Sequence, residues 1–112
     1  MKLKTEMMGD VAIVKLDGKL MGGPPASDTI RNEVYNLLNQ DTKNIVFDLQ
    51  NVTRMNSSGL GILISNLSSI KSKGGDLKLA ALNENMKGIM VMTKLNTIFE
   101  IATSAEEAVQ GF

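Results

Sequence analysis

The chain has 112 residues, with 12 basic and 12 acidic side chains and neither Cys nor His. At roughly 150 residues per domain this length allows one domain, residues 1–112, which can bury about two thirds of its unfolded surface without a disulfide or metal. The composition excludes thiolate nucleophiles, imidazole bases, disulfide frameworks and nearly all zinc and copper sites, and the balanced charge excludes a nucleic-acid binder, whose affinity rests on excess Lys and Arg.

Lys2 to Met8 alternates, with Leu3, Thr5 and Met7 set to face a core and Lys2, Lys4 and Glu6 set to face solvent, the pattern of a half-buried strand. Gly9-Asp10 turns the chain into Val11 to Leu16, a more continuously apolar strand nearer the sheet centre. Gly18, Gly22, Gly23, Pro24 and Pro25 mark a loop. Ile30, Val34, Leu37 and Leu38 then recur at helical spacing through Asn39, with Ser27 or a residue just before it as the cap.

Ile45-Val46-Phe47-Asp48-Leu49 is the run of β-formers expected of a strand covered on both faces. In the next helix Leu60, Leu63, Ile64, Leu67 and Ile70 form one stripe, with Ser65, Asn66, Ser68, Ser69 and Lys73 off it and Gly74-Gly75 ending it. Leu77 to Leu82 is another strand. Asn85 is placed to cap a short helix through Lys94 that buries Met86, Ile89 and Met90. Phe99-Glu100-Ile101 reads as a brief edge strand, and Ser104-Ala105-Glu106-Glu107 as a capping box opening a last helix. The order β-β-α-β-α-β-α-(β)-α implies an α/β fold: a mixed sheet of four to five strands, an N-terminal antiparallel hairpin joined to parallel strands, with about four helices. The eight methionines read as gap fillers in an aromatic-poor core, and Lys71, Lys73, Lys78, Lys87, Lys94 and Arg54 as solvated surface.

The apolar stretch after Met1 is broken by Asp10 and Lys15, so it is no signal-peptide core, and Met55 to Ile70 carries five serines and two asparagines and is too polar to span a bilayer. A soluble, cytoplasmic protein without membrane insertion is expected. One segment stands out for chemistry: Asn56-Ser57-Ser58-Gly59-Leu60-Gly61, between the buried strand and the long helix, where α/β sheets present strand ends to ligands. By itself it reads as a helix start, with Asn56 or Ser57 capping and Gly59 allowing close packing. It is no dinucleotide fingerprint, because Ile64 stands where a third glycine is needed.

In context, Ile45 to Leu49, Val52, and Met55-Asn56-Ser57-Ser58-Gly59-Leu60-Gly61-Ile62-Leu63 resemble the signature of the STAS domain, the family named for sulfate transporters and anti-sigma factor antagonists. The resemblance includes Gly18-Lys19-Leu20, Gly74-Gly75 before Leu77-Lys78-Leu79, Thr93-Lys94-Leu95 with Phe99 beyond, and Glu106-Glu107-Ala108. It implies a bacterial anti-sigma factor antagonist. The unmodified form would bind an anti-sigma factor, a serine kinase, and so release the sigma factor. Phosphorylation on the first serine of the motif would end the binding, and a phosphoserine phosphatase would restore it. By position that serine is Ser57, with Ser58 as the alternative. The implied partner surface is Asn56, Ser57, Ser58, Gly59, Leu60 and Gly61 together with Met21, Gly22 and Gly23. Such a protein is a substrate and not an enzyme, needs no cofactor, and is expected to be a monomer. Two departures stand out: Asn56 replaces the family's usual Asp, removing one negative charge beside the phosphoacceptor, and Met21 replaces another Asp. They keep open a second implication, a STAS adaptor or scaffold subunit docking constitutively in a signalling or lipid-transport complex.

Overall fold

The structure, a computed structural model, describes residues Met1–Phe112. One sheet runs in the order β1-β2-β3-β4-β5, formed by β1 (Lys2–Met8), β2 (Val11–Leu20), β3 (Asn44–Met55), β4 (Asp76–Ala80) and β5 (Glu100–Ala102). β1 pairs antiparallel with β2, and every other pairing is parallel. The mixed sheet with an N-terminal hairpin is therefore as the sequence implies.

Spatial order that follows chain order has a consequence. Right-handed crossovers put α1 (Ala26–Asn39), α2 (Ser57–Ser72) and α3 (Glu84–Met92) on the same sheet face. Their apolar residues, among them Ile30, Val34, Leu63, Ile70, Met86 and Met90, form a single core with Val14, Ile45, Phe47, Leu49 and Leu79. The other face has only α4 (Ala105–Gln110). Its Ala105 and Ala108 pack with Ile13, Val46 and Ala80, and a groove of about 500 Å³ lies open between the start of α4, at Ser104 to Glu106, and Glu6, Lys15, Asp48 and Gln50 of the sheet.

Several local expectations are corrected. Met7 is 52% exposed, because the end of β1 overhangs the core. Gly18 lies inside β2 with φ +126, at a bulge that lets the strand continue to Leu20. Ser27 caps nothing: Pro25 holds the cap position with no side-chain bond, and the Ser27 amide already donates to the Gly23 carbonyl at 3.1 Å. β4 stops at Ala80 because Ala81 turns with φ +61. The chain then reaches extended backbone at Asn83, so Asn83 and not Asn85 caps α3, accepting from the Met86 amide at 2.8 Å. Ser104 caps α4 as expected, but the Glu107 carboxylate reaches the amide and hydroxyl of Thr103 instead of closing on Ser104. Of the methionines only Met55, Met86 and Met90 fill the core, whereas Met7, Met8, Met21 and Met92 are exposed.

Lys78 overturns the solvated reading most sharply. Strand alternation turns it onto the α4 face, where it is 5% exposed. Its ammonium donates to the Gly111 carbonyl at 2.7 Å, pairs with Glu100 at 2.6 Å and lies over the Phe112 ring. A charge taken out of water must be met in this way. Hydrogen bonding and charge from Lys78 hold the Glu100 carboxyl below its ordinary range. A carboxyl lowered in the folded state contributes stability above its unfolded value and loses it as pH falls through the folded one. Lys78→Met should therefore flatten the acid limb of a stability-against-pH curve measured by urea unfolding, and Lys78→Ala should lose about 1–2 kcal/mol at neutral pH.

Candidate functional site

β2 and β3 run past the end of β4. The last β3–β4 partners are Asp48 and Ala80, whereas β2 and β3 stay paired to Leu20 and Met55. This two-stranded extension carries the site. At its tip Asn56 takes extended backbone and its side chain accepts from the Gly59 amide at 2.8 Å, so the helix starts at Ser57. The Leu60 amide donates to the Asn56 carbonyl at 2.9 Å. The amides of Ser57 and Ser58 precede these bonds and belong to the free donors of a helix start.

Gly59 fixes the geometry. A Cβ there would collide with the Leu20 carbonyl oxygen and stand 2.8 Å from the Leu20 carbonyl carbon. The first turn of α2 thus rests directly on the end of β2, and the Asn56 amide faces the same carbonyl at 3.4 Å. Gly22 does the same for the neighbouring loop: with φ +84, a Cβ on it would run into the Ser58 side chain and lie 3.0 Å from the Ser58 carbonyl carbon. The two stretches that the sequence analysis singled out, Met21 to Gly23 and Asn56 to Gly61, are in this way brought together.

Within the patch Asn56, Ser57, Ser58 and Gly61 are exposed, Met21 and Gly23 are exposed, and Gly22 is half-buried. Gly59 and Leu60 are buried and act as supports. The neighbouring Arg54 is exposed, as expected for surface, with Lys19 as its register partner across the ribbon. A shallow groove of about 220 Å³ continues the surface between α1 and α2, lined by Ser27, Arg31, Ser58, Gly61, Ser65 and Asn66. The sequence reading missed Arg31 and Ser65, because helix packing alone brings α1 beside α2. The available signal was small and polar residues at Ser58, Gly61 and Ser65, a helical spacing opposite the apolar stripe.

That stripe is itself rotated from expectation. Ile62 and Asn66 are buried and Ile64 is exposed. Seating Gly59 against β2 turns the buried arc toward Ile62 and away from Ile64 at about 100° per residue. Asn66 meets its burial by donating to the Ile62 carbonyl at 2.8 Å. Asp48 is not placed to act as a base for the Ser57 hydroxyl. It alternates to the opposite sheet face, where its carboxylate accepts from the Gln50 amide at 3.1 Å.

The STAS domain family model matches residues 2–108, and the chain belongs to that family. An anti-sigma-B factor antagonist of Bacillus subtilis is 36% identical over 62 residues, which are 55% of this chain and 57% of the relative. An anti-sigma F factor antagonist of Paenibacillus polymyxa is 28% identical over 102 residues, 90% of this chain and 86% of the relative. Among solved structures, a Thermotoga maritima protein assigned as an anti-sigma factor antagonist superposes with a TM-score of 0.86 at 25% identity, covering 97% of this chain and 92% of the other. The Bacillus cell fate determinant SpoIIAA in its phosphorylated form shares the fold, with a TM-score of 0.74 at 20% identity over 97% of each chain.

Two glycines in one helix turn separate packing from propensity. Gly59→Ala should destabilise by about 2–3 kcal/mol. Gly61→Ala, whose Cβ meets nothing within 4 Å, should be neutral or gain up to about 1 kcal/mol. Asn56→Ala should lose about 1 kcal/mol while Asn56→Asp keeps the cap. Chemical denaturation of the variants reads all of these differences.

Proposed function

We propose that this protein is an anti-sigma factor antagonist working by partner switching, with Ser57 as the phosphoacceptor. In this reading the unmodified surface of Ser57, Gly61, Met21 and the adjoining groove binds an anti-sigma factor that is also a serine kinase. Phosphorylation of Ser57 ends the binding, and a phosphoserine phosphatase restores it. The observation that carries the reading is the exposure of Ser57 at the first position of α2, beside the loop that Gly22 holds against Ser58. An incoming kinase has access to the hydroxyl. Similarity to proteins named as anti-sigma factor antagonists supports the partner class.

The energetics favour a switch without refolding. A phosphate at a helix start meets free amides and the positive end of the dipole, worth about 0.3–1 kcal/mol, so the modified chain stays folded. At an interface the same group brings roughly −1.5 to −2 charges, and an unpaired or like-charge contact costs several kcal/mol. A penalty of about 4 kcal/mol weakens association near a thousandfold. The interface effect outweighs the intramolecular one. Asn56 serves the helix as well as Asp would, while leaving the unmodified patch one negative charge poorer than the family's usual pattern.

Incubation with ATP and an anti-sigma factor kinase should place one phosphoryl group on Ser57, mapped by mass spectrometry and absent in Ser57→Ala. Calorimetry should give parent-like affinity for Ser57→Ala and a loss of about a hundredfold or more for Ser57→Asp. Equal affinities for both variants would remove Ser57 from the mechanism. Undiminished binding with no phosphoryl transfer would instead mark a constitutive adaptor, and transfer to Ser58 would move the switch by one residue.

A further inference from the structure

The sheet has two unpaired edges of different kinds. β5 has 3 residues, whereas β1 has 7 and lies at the border of the half-covered face. A long free edge is a template for pairing with another chain unless something guards it. The Gly9-Asp10 turn closes on the Met8–Val11 pair, so Met8 exchanges backbone bonds with β2, and so by alternation do Glu6, Lys4 and Lys2. Leu3, Thr5 and Met7 therefore turn their amides and carbonyls outward.

We propose that β1 is a self-association edge whose occupant is a second copy of this chain, paired antiparallel about a two-fold axis at Thr5. The charges select the register. Outward backbone groups can meet only where Leu3, Thr5 and Met7 of one copy face the same set in the other. Centring on Thr5 places Thr5 opposite Thr5 and Leu3 opposite Met7, and sets each Lys4 against the other copy's Glu6. Centring on Lys4 sets two lysines face to face, centring on Glu6 sets two glutamates face to face, and centring on Leu3 brings Lys2 against Lys4. Only the Thr5 register has opposite charges without a like pair, and cross-strand pairs of this kind decide sheet pairing.

The exposed methionines then gain a role. Met7 meets Leu3 on the face that carries α1, where Thr5 already donates to Glu33 of that helix. Met8 lies opposite the aliphatic stem of Lys2 on the other face. Glu6 is drawn toward Lys15 at 3.2 Å and Lys4 at 3.7 Å within its own copy, so pairing extends an existing charge row. Ser57 follows β3, two strands in from this edge, so the inference stands apart from the proposed switch and replaces the expected monomer with a concentration-dependent dimer.

Sedimentation equilibrium of the whole protein, over a wide concentration range, is the test. Lys4→Glu and Glu6→Lys should each weaken self-association about tenfold or more, because each sets like charges opposite one another. The two variants mixed should associate with each other as the parent does, and Lys4→Glu/Glu6→Lys should recover self-association. Circular dichroism of each variant checks that it is folded. Hydrogen exchange of the parent should show concentration-dependent protection of the Leu3, Thr5 and Met7 amides. A parent that stays monomeric throughout would overturn the proposal, and so would association indifferent to these charges or protection confined to other segments.

Discussion

The close approach of α2 to β2 at Gly59 is the constraint on which the site depends. There the helix backbone touches the strand backbone, and nothing larger than hydrogen fits against the Leu20 carbonyl. The contact does three things at once. It braces the free end of the β2–β3 ribbon, which β4 no longer supports. It places the Asn56 cap so that the helix begins at Ser57 and not a turn later. It also brings α2 near enough to the β2–α1 loop for Gly22 to lie on Ser58. A serine at the tip of an unbraced ribbon would be exposed but poorly positioned. Here it is exposed on a rigid support, which suits the recognition role proposed for it.

Much of this was legible in the sequence because local physics and tertiary structure agree along most of the chain. The run Ile45 to Leu49 is wholly buried, as four apolar β-formers around one Asp, between two helices, lead one to expect. The hairpin, the crossovers and the helix start at Asn56 follow from patterns that no tertiary effect overrules. The misreadings share one origin. Asn83 and Asn85 are equally good caps in isolation, and only the turn at Ala81 decides between them. Ile62 and Ile64 are equally apolar, and the Gly59 contact decides which faces inward. Lys78 is charged, and its burial depends on a C-terminal segment more than thirty residues away folding back over it. In each case the deciding atom belongs to another element. The residues named through the resemblance to the STAS signature form one contiguous motif plus one loop, and the fold places the two side by side at Gly22 and Ser58. Arg31 and Ser65 join the surface through helix packing, which a linear motif does not record.

The topology also divides the molecule's labour. Because strand order follows chain order, three helices crowd one face and leave the other to a helix of 6 residues. The two fully buried charges, Asp48 and Lys78, both lie on that thinner layer, with half-buried Lys15 and Glu6 beside Asp48. There nearby solvent at the open groove keeps the cost of desolvation small. The core of the thick layer is apolar apart from one buried polar side chain, Asn66, which is satisfied within its own helix. The rigidity needed beneath Ser57 comes from the thick layer.

The switch proposed for Ser57 asks for such a separation. A phosphate changes local potential strongly but acts over roughly a Debye length, about 8 Å at physiological ionic strength. Had the motif lain among Glu6, Lys15 and Asp48, a new anion would have competed for the same ammonium groups and spread its effect into the sheet. Placed at the start of α2, over apolar packing and beside backbone amides, it stands apart from the Glu6, Lys15 and Lys78 ion pairs of the sheet, with only the exposed Arg31–Asp28 pair beside the adjoining groove. Its charge is felt outward, by whatever approaches the patch. The balance of the whole chain sharpens that contrast, since with 12 positive and 12 negative side chains the roughly −1.5 to −2 charges of one phosphoryl group are a large change in the net charge.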